Sequence, residues 1–157
     1  MNKGYTLLEI LLVLTLILLL LGGVTVTYTR YNAQKSMEKD VLAFKDVVTL
    51  ARERTIARDL GDTLNCTTFT GYRVQVDPAA STYRLYRMCQ GLTIPPISTY
   101  QLQLTRIPGA ALINIDFQYP YGTLSGAAQT IRFNNTRMSG CQQVLINAVG
   151  VISDQPC

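Results

Sequence analysis

Side-chain catalysis needs a nucleophile beside a base, a pair of facing carboxylates or a metal set, and this 157-residue sequence offers few of those parts. It contains no His, so no Ser or Cys has an imidazole to activate it. It has no Gly-rich phosphate loop and no carboxylate pair on a shared element. Its four Cys (Cys66, Cys89, Cys141 and Cys157) are widely spaced, none in a C-x-x-C pair, so neither a metal nor a cofactor is expected. The chain reads as a non-enzyme with no catalytic residues. The chemistry that demands an explanation is instead a single acid. Glu9 is the only charge between Lys3 and Arg30, within KGYTLLEILLVLTLILLLLGGVTVTYTR. An acid at the centre of a bilayer-spanning helix costs about 2.5–3.5 kcal/mol on insertion scales.

The segment around Glu9 is long enough to span. Ile10 to Val26 gives seventeen residues without charge, and Ile10 to Thr29 as a helix covers close to ~30 Å of hydrocarbon. A secretory signal peptide would have a more basic start, a shorter apolar core and a small-x-small cleavage site after it. Here the start is only Met1-Asn2-Lys3, and the oily run passes directly into another helical pattern. Lys3 on the short flank favours an orientation with the N-terminus inside.

The order of leader, Gly, aromatic residue, T-L-L-E and apolar run resembles the type III signal of the type IV pilin superfamily. The resemblance covers about the first thirty residues closely. It implies that residues 1–4 are a leader cut by a prepilin peptidase between Gly4 and Tyr5, and that the new N-terminus on Tyr5 is methylated. Tyr5 stands where Phe is commoner, and Glu9 becomes the fifth mature residue. The acid then has a physical purpose. In a packed filament the Glu9 carboxylate of one subunit meets the Tyr5 ammonium of the next. A charge pair buried in an apolar bundle is tolerable where a lone charge is not, so the pair marks register. The resemblance further implies other pilin or pseudopilin subunits as partners, together with an inner-membrane platform protein and a cytoplasmic assembly ATPase. The location it implies is the bacterial inner membrane before assembly and an extracytoplasmic filament after. Many major pilins have a helix-bending Pro where this chain has Val26; Gly22-Gly23 lies nearby, as either a kink or a site of close helix packing. That departure favours a minor subunit or pseudopilin.

Beyond Thr29 the helical pattern becomes one-sided. Met37, Val41, Phe44, Val48 and Ala51 form an apolar stripe opposite a charged face, and Gly61 offers a stop. After Gly61 the period is two. YRVQV and YRLYRMC flank DPAAS as a hairpin, YQLQLTRI, LINIDFQY and TIRF read as strands, and QQVLINA with VGVIS closes as a hairpin around Asn147 to Gly150. The expected fold is α+β: a long N-terminal helix, half transmembrane and half amphipathic, packed on an antiparallel β-sheet head. The expected divisions are 1–4 leader, 5–29 membrane and assembly helix, 30–60 amphipathic stem and 61–157 head. The last strands also resemble, loosely, those of H-type minor pseudopilins of type II secretion and FimT-type minor pilins.

The two hairpins bring Cys66 near Cys89 and Cys141 opposite Cys157, so those disulfides are expected in an oxidising compartment, with buried free thiols as the alternative. Net charge is +4, but past Gly61 six Arg face four Asp, a weak bias rather than a basic patch. Arg73, Arg84 and Arg87 stand beside tyrosines, and with Arg132 and Arg137 they form a second reading: DNA contact in a minor pilin for DNA uptake, against ordinary cross-strand pairing on a solvent face. The N-x-T triplets at Asn65 and Asn134 carry little weight.

Overall fold

The computed structural model describes residues 6–59, 66, 68–90, 94–103, 105–137 and 139–157, and for residues 21–27 the helical backbone alone. One helix, α1 (Leu7–Ile56), leads the chain and, at about 1.5 Å per residue, extends roughly 75 Å. Among the described residues, nine strands follow. Five form one antiparallel sheet in the order β3 (Ser98–Gln101), β2 (Thr82–Cys89), β1 (Phe69–Asp77), β5 (Ile113–Gln118), β6 (Thr123–Leu124). Four form a second, in the order β4 (Thr105–Arg106), β7 (Gln129–Asn135), β8 (Cys141–Ile146), β9 (Ile152–Pro156). The α+β expectation holds, with two sheets where one was expected.

The stripe expected on the helix is buried in full: Met37, Val41, Phe44, Val48 and Ala51 are each 4% exposed or less. Both sheets close on it. The Phe44 ring meets Tyr83 of β2 edge-on at 5.3 Å and Phe133 of β7 at 5.2 Å, so one side chain joins helix and both sheets. Polar ties reinforce the contact with the second sheet. The Thr105 hydroxyl donates to Asp40, the Asn135 side-chain amide donates to the Ala33 carbonyl at 2.7 Å, and Lys45 pairs with Asp154.

The period-two reading places the hairpins in register. Val76 faces Tyr83 and Asp77 faces Thr82 across the first turn, and Ile146 faces Ile152 across the last. Gly71 makes a bulge at the start of β1; a Cβ there would lie 1.8 Å from the Phe117 carbonyl oxygen, and its φ is +146°. YQLQLTRI, expected as one strand, is two. Leu102 is buried from one side of the chain, while Thr105 and Ile107 are buried with the opposite parity. The chain leaves the first sheet there and enters the second, so its inward-facing set changes.

The helix ends at Ile56, ahead of the expected stop at Gly61, which lies outside the described residues. A Schellman arrangement ends it, with the Asp59 amide donating to the Arg54 carbonyl and the Arg58 amide to that of Thr55. Arg58 takes the left-handed position, at φ +51°, where Gly is usual.

Candidate assembly site: the exposed apolar half of the helix

The helix changes character along its length. From Ala33 onward it carries the head. From Leu7 to Leu20 every described side chain is exposed, with Leu7, Leu8, Leu18, Leu19 and Leu20 at 68% or more. A contiguous apolar surface of this kind marks an interaction or membrane site. No helix among the described residues is long and apolar enough to cross a membrane.

Two polar devices lie within this surface. The Thr15 hydroxyl donates to the Leu12 carbonyl at 2.8 Å, which satisfies it inside its own helix. Glu9 is held differently. Thr6 is the N-cap, with extended backbone, and its hydroxyl accepts the Glu9 amide at 3.3 Å. Thr6-Leu7-Leu8-Glu9 is the S/T-x-x-E signature of a capping box, a signal present in the sequence and missed there. Glu9 therefore also sits in the first turn, where the helix dipole favours an acid. Among the described residues its carboxylate meets no cation. Gly4 and Tyr5, the expected processing residues, lie outside the described residues, and the Gly22-Gly23 pair is described only as helical backbone.

Both expected disulfides are formed. Cys66 joins Cys89 and Cys141 joins Cys157, each with Cα atoms 5.6 Å apart.

The five arginines of the DNA reading are not brought together. Arg73 and Arg84 share the outer face of the first sheet, but Arg73 is committed to Asp116 through two hydrogen bonds of 2.6 and 2.7 Å. That bidentate contact raises the Arg73 pKa from its ordinary value, chiefly through hydrogen bonding to the Asp116 carboxylate. Arg87 is buried on the inner face, with its Nε donating to the Tyr72 hydroxyl at 3.5 Å and its guanidinium over the Tyr72 ring. Arg132 on β7 and Arg137 in the β7–β8 turn belong to the second sheet.

A long helix, free and apolar at its start and clasped by β-sheet at its end, defines a class of architecture. No protein-family model matches the chain, and no curated protein matches it in sequence. Among solved structures it is similar to the type IV minor pilin FimU of Pseudomonas aeruginosa, with a TM-score of 0.52 at 13% identity over 78% of this chain and 92% of that one. The fold is therefore that of the type IV pilins, helix on antiparallel sheet.

Proposed function

We propose that this chain is a minor subunit of a type IV pilus-like filament, assembled through the N-terminal half of α1. The observation that carries the reading is the division of one helix. Its second half is locked into a head of minor-pilin fold, while residues 7–20 of its first half present an apolar surface to solvent. In water that surface is costly, at about 25 cal/mol per Å² of apolar area. Lipid covers it before assembly and neighbouring helices cover it after. The likeness to a type IV minor pilin favours a pilus over a secretion pseudopilus. The prepilin-like start supports cleavage between Gly4 and Tyr5, methylation of Tyr5 and dependence on a platform protein and an assembly ATPase. Glu9 then has two tasks: its amide completes the helix cap, and its carboxylate receives the Tyr5 ammonium of an adjacent subunit.

The test separates those tasks. Glu9→Ala and Glu9→Leu leave the Thr6 cap to the Glu9-position backbone amide, so both variants are expected in the membrane fraction at normal levels and absent from sheared filaments. Mass spectrometry of the wild-type mature chain should find Tyr5 first and methylated. Normal filament incorporation of both variants, or a mature chain starting elsewhere, sinks the assignment.

A further inference from the structure

The end of the head nearest the apolar half of α1 is built from three segments: the β1–β2 turn, the β4–β5 loop and the end of β7. Pro78, Arg106, Ile107, Pro108, Asn134 and Thr136 line one shallow cleft of about 530 Å³ there. Its height along the helix is fixed by the Asn135 bond to the Ala33 carbonyl and the Thr105 bond to Asp40. The apolar run ends at Val26, so the Ala33 level stands only about 10 Å beyond it along the axis.

The exposed side chains at this end are mostly apolar or basic, with the neutral Asn134 and Thr136 among them. Ala79 and Ala80 in the turn and Ala110, Ala111 and Leu112 in the loop face solvent, Leu112 by 54%. Arg106 and Arg137 are exposed beside them, and neither has an ion-pair partner among the described residues. Arg30 continues the buried series Met37 and Ala33 by one further helical step, so it lies beneath the head on the face that carries it. Of the acids at this level only Glu38 is ion-paired among the described residues, with Lys35. Asp77 accepts the Ala80 amide and Asp40 the Thr105 hydroxyl, and both keep their charge, but each is half-buried where Arg30, Arg106 and Arg137 are exposed. Tyr28 and Tyr31, exposed on the same stretch of helix, are of the residue type that settles at headgroup depth.

We propose that, before the subunit leaves the membrane, this end of the head docks on an anionic lipid surface. The Pro108–Leu112 loop lies at the headgroups, and Arg30, Arg106 and Arg137 meet lipid phosphates. The proposal rests on the reading that the first half of α1 resides in the bilayer. Charge complementarity and continuity with that apolar helix select lipid over a protein occupant. Screening acts over about 10 Å at 0.1 M salt, so these arginines lie within reach of the surface. Each basic side chain near an anionic surface strengthens association about fivefold.

The sequence has no Trp, so Leu112→Trp supplies a single reporter in the full chain. The chain is reconstituted into phosphatidylcholine vesicles with and without phosphatidylglycerol, each containing headgroup-quencher lipid. In the anionic vesicles the indole emission should shift to the blue and be quenched, and high salt should reverse both. Arg106→Gln with Arg137→Gln should return the signal to that of neutral vesicles. Ala110→Trp repeats the measurement at a second exposed site, and circular dichroism checks folding. An unquenched indole at both sites, quenching equal in the two vesicle types and indifferent to salt, or quenching only after another protein is added overturns the proposal. Flotation with neutral vesicles distinguishes the two readings. A chain that floats unquenched loses only the docking, whereas a chain that fails to float loses the membrane reading as well.

Discussion

Burial separates Tyr83 from an ordinary tyrosine. It is 2% exposed, stacks on Tyr100 at 5.0 Å and packs edge-on against Phe44. Loss of hydration raises its pKa to about 12, with Tyr100, Asp40 and Asp46 adding in the same direction. The folded state therefore favours the neutral phenol. Its contribution to stability is complete below the ordinary value of 10.0 and declines as pH rises toward about 12. Denaturation midpoints of the wild type should fall across that interval, and Tyr83→Phe should flatten the decline. An unchanged slope in the variant would assign the effect to other groups. Asp154 works in the opposite direction. Hydrogen bonding to Lys45 lowers its pKa, so the contribution of the tie between β9 and α1 is complete above the ordinary aspartate value of 3.8 and is lost as pH falls from there through the lower folded value. At this scale the sequence was partly legible. Alternation already put Arg87 in the set of Tyr83 and Leu85, the set that turned inward, so its removal from the surface was readable from parity alone. The Arg73–Asp116 pair was not, because it joins strands 43 residues apart in the chain.

At the scale of elements, the helix stripe is the clearest case of sequence dictating structure. Spacings of three and four named five residues, and all five are buried. Phe44 touches both sheets, so removing it would leave a void between them. Phe44→Ala is expected to cost about 3–5 kcal/mol, measured by chemical denaturation of the full chain in mild detergent. A cost below about 1 kcal/mol would mean that the sheets collapse onto the helix without it. Elements whose ends depend on a local exception were less legible. Arg58 stops the helix in a conformation that Gly normally supplies, so Gly61 was the more visible but later signal. The break after Leu102 hides within an alternating run, because a change of sheet preserves the pattern on each side and shifts only its phase. The β1–β2 and β8–β9 pairs were legible from the turns that join them, whereas the short β6 that pairs with β5 lies in a stretch that reads as loop. The division into two sheets was not legible, since no local signal states which face of the helix a strand will cover.

For the whole molecule, the two disulfides secure opposite regions of the head. Cys66–Cys89 ties the segment after the helix to the end of β2. Cys141–Cys157 ties the start of β8 to the residue after β9, across a sequence separation of 16. Closing a loop of that size constrains the unfolded chain by about 3 kcal/mol in the entropy model. Replacing both Cys141 and Cys157 by Ser should therefore destabilise the head by about that amount. Hydrogen exchange should rise in β9 first, with β1 and β2 still protected. Uniform loss of protection would show instead that the head has one cooperative unit. The hairpin at the end of the chain made this pairing readable in advance, because register alone sets Cys141 opposite Cys157.

The second sheet reaches back a long way to its helix: Asn135 to Ala33 spans 102 residues, and Asp154 to Lys45 spans 109. A chain made from its N-terminus outward thus has Phe44 in place, and Tyr83 of the first sheet against it, well before Phe133 of β7 exists to cover its other side. For that interval the stem is an oily rod with half its lid. Until the second sheet closes, that side of the stem is open apolar surface of the kind that makes late-closing folds prone to associate.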